Sequence, residues 1–199
     1  MNRAKPDHYT HRAKQSGYPA RSVYKLEEIQ KRFHLLKRGQ RILDIGAAPG
    51  SWSMYSSELV GEEGLVVSVD LKEFSIPDPR GNIRILEGDA FSDSLLAELA
   101  VYAPFEVILS DAAPSTTGNR TVDTARSAGI AEQCILSAKD MLKEGGSLVI
   151  KVFQGGEEQQ LLKRLRELFR TAKAFKPEAS RKESFEVFFV ADGFRGRRE

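Results

Sequence analysis

Lys151 stands inside the apolar run Leu148-Val149-Ile150-Lys151-Val152-Phe153. A lysine in a central strand must shed hydration, which readies its amine as a base. The plainer reading is a strand-end lysine reaching for solvent, but lysine is almost never fully buried without a partner, which favours a functional one. Three aspartates, Asp70, Asp89 and Asp111, each follow a short apolar run. Another such run, Arg41–Ile45, leads into Gly46-Ala47-Ala48-Pro49-Gly50-Ser51-Trp52. Small residues let a ligand approach the backbone, and proline is at home at a helix start. Asp70 lies twenty residues after Gly50, where a carboxylate commonly accepts both ribose hydroxyls of a nucleoside. Gly88-Asp89-Ala90 suits an adenine edge, and Ser110-Asp111-Ala112-Ala113-Pro114 closes the next run. Any one aspartate could be a loop cap; three at successive strand ends are harder to dismiss. Together they suit S-adenosyl-L-methionine: ribose on Asp70, adenine near Asp89 and Ala90, the methionine end near Gly46–Trp52 and Asp111. A dinucleotide fits less well, because G-x-G-x-x-G would require glycine where Ala48 stands, and the helix entry carries Pro49. Glu186, in Phe185-Glu186-Val187-Phe188, reads on pattern alone as the polar tooth of an alternating edge strand.

These residues need a frame. Arg41–Ile45, Leu65–Val69, Ile83–Leu86, Phe105–Leu109 and Ser147–Phe153 read as strands, each short, partly β-branched and bounded by turn formers. Ser51–Leu59, Ser92–Leu99, Thr124–Leu142 and Glu157–Phe169 read as helices between and after them, with Leu161, Leu165 and Leu168 the stripe of the last. Ala172–Phe175 and Phe185–Ala191 are two further strands. Near-continuous apolar strands alternating with helices predict an α/β fold, doubly wound and Rossmann-like, with a mostly parallel seven-stranded sheet and helices on both faces. Ligands of such sheets bind at the carboxyl ends of the strands, where strand order reverses. Ahead of this core, Arg21–Phe33 reads as a helix with Val23, Leu26, Ile29 and Phe33 buried, and Arg21, Lys25 and Arg32 on another face around Glu28.

The 199 residues suit one domain: a basic extension over 1–40, a catalytic core over 41–192 and a basic tail over 193–199. Charge is sharply segregated. Residues 1–41 carry 11 Lys/Arg against 3 Asp/Glu, residues 42–162 carry 8 against 19, and residues 163–199 carry 11 against 6. An acidic body with two basic ends implies that the ends share a polyanion. Tyr9, Tyr18, Tyr24 and Phe33 interleave with the N-terminal charges, unlike a solvating tail. The single Cys134 excludes an internal disulfide and a cysteine zinc cluster, and His8, His11 and His34 match no metal spacing. No run reaches the 18 or so apolar residues of a membrane span, and the polar N-terminus has no secretory pattern. A cytoplasmic, metal-independent protein, a monomer, is expected.

Asp44-Ile45-Gly46-Ala47-Ala48-Pro49-Gly50-Ser51-Trp52-Ser53 resembles the cofactor loop of the FtsJ family of RNA ribose 2′-O-methyltransferases. Ala20-Arg21-Ser22-Val23-Tyr24-Lys25-Leu26, Ser110–Pro114 and Val149-Ile150-Lys151-Val152-Phe153-Gln154-Gly155 resemble it as strongly and in the family's order. The resemblance extends from about Tyr9 to Asp192. It implies a Lys-Asp-Lys-Glu tetrad on Lys25, Asp111, Lys151 and Glu186. Lys151 would take the proton of the target 2′-hydroxyl or stabilise its alkoxide, Lys25 and Glu186 would position it, and Asp111 would orient the methionine end of the cofactor. Cofactor contacts would fall on Gly46, Gly50, Trp52, Asp70, Asp89 and Asp111. Ser51 departs from the usual second glycine of the loop, a change a helix start tolerates.

The resemblance further implies methylation of large-subunit (23S-type) ribosomal RNA, at a uridine, with ribosomal RNA or the large subunit as partner. Transfer RNA is the alternative substrate. Arg12, Lys14, Arg21, Arg32, Arg181 and Lys182 would hold phosphates on either side of the cleft. A base methyltransferase would place prolines and an aromatic after the fourth-strand acid, whereas Asp111 is followed by Ala112-Ala113-Pro114-Ser115. A non-catalytic ribosome-assembly factor of the same fold would be marked by loss of Lys151 or Asp111, and both are present. No additional RNA-binding domain is expected after Glu199.

Overall fold

The computed structural model describes residues 8–181 and 183–196. Two helices, α1 (His8–Gln15) and α2 (Val23–Phe33), precede an alternation of strands and helices: β1 (Arg41–Ile45), α3 (Ser51–Val60), β2 (Leu65–Asp70), β3 (Ile83–Glu87), α4 (Asp93–Ala100), β4 (Phe105–Ser110), α5 (Arg120–Met141), β5 (Leu142–Phe153) and α6 (Glu158–Leu168). The chain closes with β6 (Phe169–Phe175) and β7 (Glu186–Phe194). The seven strands form one sheet in the order β3-β2-β1-β4-β5-β7-β6. All pairs are parallel except those made by β7, which runs antiparallel between β5 and β6. Strand order reverses between β1 and β4, so the loops leaving those strands flank the switch point.

The period of two in each strand divides the core between two faces. Leu43, Ile45, Ile108, Leu148, Ile150, Val152, Val187 and Phe189 pack on one face, beneath α4, α5 and α6. Ile42, Val66, Val107, Leu109, Val149, Phe188 and Val190 pack on the other, against Leu26 and Ile29 of α2 and Trp52 and Val60 of α3. Alternation then assigns Asp44, Lys151, Phe153 and Glu186 to the α2/α3 face, and Asp111, just past β4, follows in the same phase.

The expected strand and helix order is present, with boundary differences that have physical causes. Helix α5 starts at Arg120 rather than Thr124, because the Asn119 side chain accepts from the amides of Thr121 and Val122 and caps it. Strand β5 starts at Leu142 rather than Ser147, pairing with Phe105 before a register shift. Strand β6 takes over at Phe169, which is fully buried. Residues 193–196, expected in a tail, are not one: Gly193 and Phe194 complete β7, and the Arg195 amide donates to the Leu168 carbonyl. Helix α1 is not announced by periodicity. Only Ala13 is buried there, and Tyr9 packs beside it with Val23, Tyr24 and Ala179, so tertiary contacts rather than an apolar stripe hold it.

Candidate active site

Registration carries the site. Ser110 pairs with Ile150, so Asp111 falls beside Lys151, and Lys151 Nζ lies 2.9 Å from Asp111 Oδ1. The same ammonium also donates to the Asp111 main-chain carbonyl, so two of its three N–H groups are directed at one residue. Across the antiparallel pair Glu186 stands opposite Phe153, diagonally from Lys151. From α2, Lys25 Nζ reaches Glu186 Oε1 at 2.6 Å and lies above the ring of Phe188. Burial pushes the Glu186 carboxyl up, but the charges and hydrogen bond of Lys25, with Lys151 nearby, outweigh it and bring it below the ordinary range. The four side chains are between 9% and 17% exposed: sheltered, yet open to a substrate at the strand ends. The structure therefore brings Lys25, Asp111, Lys151 and Glu186 together as two ion pairs on one face of the sheet.

The expected cofactor residues line the same edge. Asp70 Oδ2 accepts from the Ala48 amide and Oδ1 from the Lys72 amide, both at 2.9 Å. Asp89 Oδ1 accepts from the Phe91 amide at 3.0 Å. Each aspartate thus does cap a loop, but an ionised carboxylate offers about four lone-pair directions, so capping and ligand binding are compatible. Gly46 and Gly50 have packing reasons as well as the ligand reason. Both glycines have φ in the left-handed region, 75° and 100°, and a Cβ on Gly46 would sit 2.7 Å from Ala112 Cα. The site of a Cβ on Gly50 is filled by Ile76 of the segment after β2. Trp52 is turned inward: its side chain is buried, with Nε1 donating to the Ser22 carbonyl at 2.8 Å. Any contact with a cofactor falls to its main chain.

Sequence reasoning misses Asp44 as a site residue. It is fully buried, Ser53 Oγ donates to its Oδ2 at 2.7 Å, and Oδ1 has no hydrogen-bond partner. Burial pushes its carboxyl up to about 7, against the Ser53 bond and with help from Asp111 and Asp70. A signal exists, since a carboxylate in the run Arg41–Ile45 contradicts an apolar strand. Leu71 is missed as well; it follows Asp70 and is 73% exposed, an apolar surface at the rim. These features fit S-adenosyl-L-methionine: acceptors for a ribose diol at Asp70, an apolar shelf at Leu71, and an orphaned carboxylate oxygen at Asp44 for a cationic methionine end.

The two basic ends do meet. Glu28 of α2 accepts from the amides of Glu178 and Ala179, at 2.6 and 2.9 Å, and the Arg21 guanidinium donates to the Ala179 carbonyl. Burial and the neighbouring Arg181 charge lower the Arg21 guanidinium from its usual value, opposed by Glu186. Arg21 therefore lies within electrostatic reach of Glu186, with Arg181 close to Arg21. The Arg12 guanidinium covers the Tyr24 ring at 4.5 Å, and Lys14 borders an open cleft of about 370 Å³ with Tyr18, Met54 and Ile76. Arg32 is apart from them, exposed near the far end of α2, about 10 Å beyond Lys25. Lys182 lies outside the described residues. Among the described residues no cluster of three His, Cys, Asp or Glu could hold a metal, and no helix is long and apolar enough to cross a membrane.

A switch-point loop, carboxylates at successive strand ends and a Lys/Asp/Lys/Glu cluster over the fifth strand define an S-adenosyl-L-methionine-dependent methyltransferase. The family model of FtsJ-like methyltransferases matches residues 18–194, and the chain belongs to that family. It is 46% identical over 195 residues to a curated relative, the ribosomal RNA large subunit methyltransferase E of Treponema denticola, covering 97% of each chain. Among solved structures it is similar to a Plasmodium falciparum protein assigned as a ribosomal RNA methyltransferase, with TM-score 0.78 and 26% identity, over 90% of this chain and 100% of that one. Fibrillarin of Aeropyrum pernix, solved with bound S-adenosyl-L-methionine, shares the fold at TM-score 0.59 and 18% identity, over 85% of this chain and 76% of that one.

Proposed function

We propose that the protein transfers the methyl group of S-adenosyl-L-methionine to a ribose 2′-hydroxyl of large-subunit ribosomal RNA, at a uridine, acting as a cytoplasmic monomer of one domain. The observation that carries this reading is the pairing of Lys151 with Asp111 and of Lys25 with Glu186 at the carboxyl edge of the switch point. The substrate class is supported by the 46% identity to the Treponema denticola large-subunit enzyme.

The cofactor supplies a sulfonium methyl, whose carbon bonds the ribose oxygen as its bond to sulfur breaks and leaves the electron pair on sulfur. A ribose hydroxyl is a weak acid, so a positioned proton acceptor helps it attack. The Lys151 ammonium first releases one N–H proton to solvent, and the freed Nζ lone pair then takes the hydroxyl proton, so that one proton leaves overall. Asp111 fixes the direction of the amine through its carboxylate and carbonyl, and Lys25 neutralises Glu186, so that neither becomes an unpaired charge in the sheltered cleft. Alignment of oxygen, carbon and sulfur is the larger contribution. Asp70 and Leu71 hold the ribose and adenine, Asp89 the adenine edge, Asp44 and Asp111 the methionine end, and the loop from Gly46 to Trp52 its backbone contacts. Arg12, Lys14, Arg21 and Arg181 bind phosphates.

Labelled methyl transfer to large ribosomal subunits, total RNA and tRNA, followed by nucleoside digestion, tests this. A 2′-O-methyluridine from the large subunit is the expected product. A 2′-O-methyl product from tRNA alone would move the substrate, and label on a base would contradict the ribose chemistry.

A further inference from the structure

Beside the catalytic pairs lies a cluster of three side chains that the mechanism does not use. Phe153 and Phe185 meet edge to face, with ring centroids 4.7 Å apart and an interplanar angle of 62°. The guanidinium of Arg120, at the start of α5, covers the Phe185 ring at 5.2 Å. Arg120 is anchored there, its Nη2 donating to the Gln154 carbonyl at 3.3 Å, and its charge also faces Glu158. The backbone locks the two rings together, since the Gln154 amide donates to the Phe185 carbonyl and the Phe153 amide to Ser127 Oγ. Both rings remain only half-buried, and Arg120 is exposed. Core phenylalanines elsewhere in the sheet, such as Phe105, Phe169 and Phe188, are fully covered.

Position gives the cluster its meaning. Phe153 lies two residues beyond Lys151 on β5 and so shares its face, about 7 Å further toward the open edge. Phe185 directly precedes Glu186. That offset is comparable to the distance between a ribose hydroxyl and the base of its own nucleotide. RNA read in single-stranded form is held by stacking unstacked bases on aromatic rings and arginine planes. We propose that Phe153, Phe185 and Arg120 form a stacking platform for the nucleobase of the methylated nucleotide, which is drawn out of its helix so that its 2′-hydroxyl reaches Lys151. This rests on the ribose methylation reading and adds to it a subsite on the base side of the target. Stacking tolerates any base, so the platform positions the nucleotide without choosing its identity.

A ribosomal RNA fragment spanning the methylated position, made either intact or with an abasic ribose there, tests the proposal with the full-length protein. The abasic ribose keeps the 2′-hydroxyl and removes only what would stack. Wild type should lose roughly ten-fold or more in kcat/KM on the abasic fragment. Phe185→Leu, which keeps apolar bulk, should lose a similar factor on the intact fragment but little further on the abasic one, while Phe185→Tyr stays near wild type. Cofactor affinity and thermal midpoint should be unchanged in both variants. Equal losses by Phe185→Leu on both fragments, or undiminished wild-type turnover of the abasic fragment, would overturn the platform. Failure of wild type to give any 2′-O-methyl product from the intact fragment, from subunits or from tRNA would instead refute the ribose reading.

Discussion

At the scale of single residues, Asp44 is a carboxyl placed where charge is costly. Its carboxyl is fully buried, with one oxygen bonded to Ser53 and the other unpartnered, and burial raises it to about 7. An unfolded aspartate ionises near 4. Between those values the unfolded chain has lost the proton that the folded chain keeps, so stability contributed by this position falls as pH rises from about 4 to about 7 and is level above. Asp44→Asn should abolish that dependence. Chemical denaturation of the cofactor-free protein across pH 4–8 should show the variant gaining on wild type up to about pH 7; parallel curves would contradict the assignment. Glu186 is the opposite case: Lys25 and Lys151 overcome its burial and hold it low, so its stabilising effect is present above the ordinary glutamate range and fades only in acid. Lys151 and Asp111 are legible from type and strand position alone. Asp44 escapes notice, because a carboxylate between Leu43 and Ile45 reads as part of the loop motif rather than as a buried charge. The pairing of Lys25 with Glu186 bridges 161 positions of sequence, which no local pattern encodes.

At the scale of elements, α2 does three jobs. Leu26 and Ile29 are buried in the core, Lys25 completes an ion pair, and Glu28 grips the turn before β7 through two main-chain amides. Amide bonds to an ionised carboxylate contribute more than neutral ones, about 1.5–3 kcal/mol each. Glu28→Gln keeps the size but turns one acceptor into a donor facing an N–H. It should cost on the order of 1–3 kcal/mol of stability and raise KM for RNA several-fold while leaving cofactor affinity unchanged, as calorimetry and steady-state assays would read. An unchanged KM would separate the turn from RNA binding. Most elements are visible in the sequence because their apolar period matches their secondary structure. Helix α1 is not, since its contacts are aromatic and made to Val23, Tyr24 and Ala179 from elsewhere in the chain. The early start of β5 is hidden too, because Gly145 and Gly146 read as a turn, yet pairing with β4 is made on both sides of them, at Leu142 and again from Ser147, with a shift in register between.

At the scale of the whole molecule, the segregation of charge becomes a surface. The N-terminal segment and the turn before β7 are basic in sequence and are brought together by Glu28 and Arg21, so Arg21 and Arg181 lie close together, with Arg21 near Glu186. A shared polyanion for the two basic ends is legible in the segregation of charge; the hydrogen bonds that join them against their repulsion, and the double role of Arg21 as brace and cation, are not. Arg181 is exposed and so gives the cleaner test. Arg181→Ala should weaken RNA binding and reduce the slope of log affinity against log salt by roughly 0.7–0.9, the value for a single neutralised phosphate. An unchanged slope measured from about 50 to about 200 mM salt would remove it from the RNA surface.

In the proposed reaction Lys151, held by Asp111, enables the ribose hydroxyl to attack. The most direct test is single-turnover methyl transfer by Lys151→Ala to unmethylated large ribosomal subunits, with S-adenosyl-L-methionine affinity measured on the same preparation. Transfer should fall by about a hundred-fold or more, in keeping with the usual worth of a positioned proton acceptor, with cofactor affinity within a few-fold of wild type. Transfer at the wild-type rate would contradict that role of Lys151.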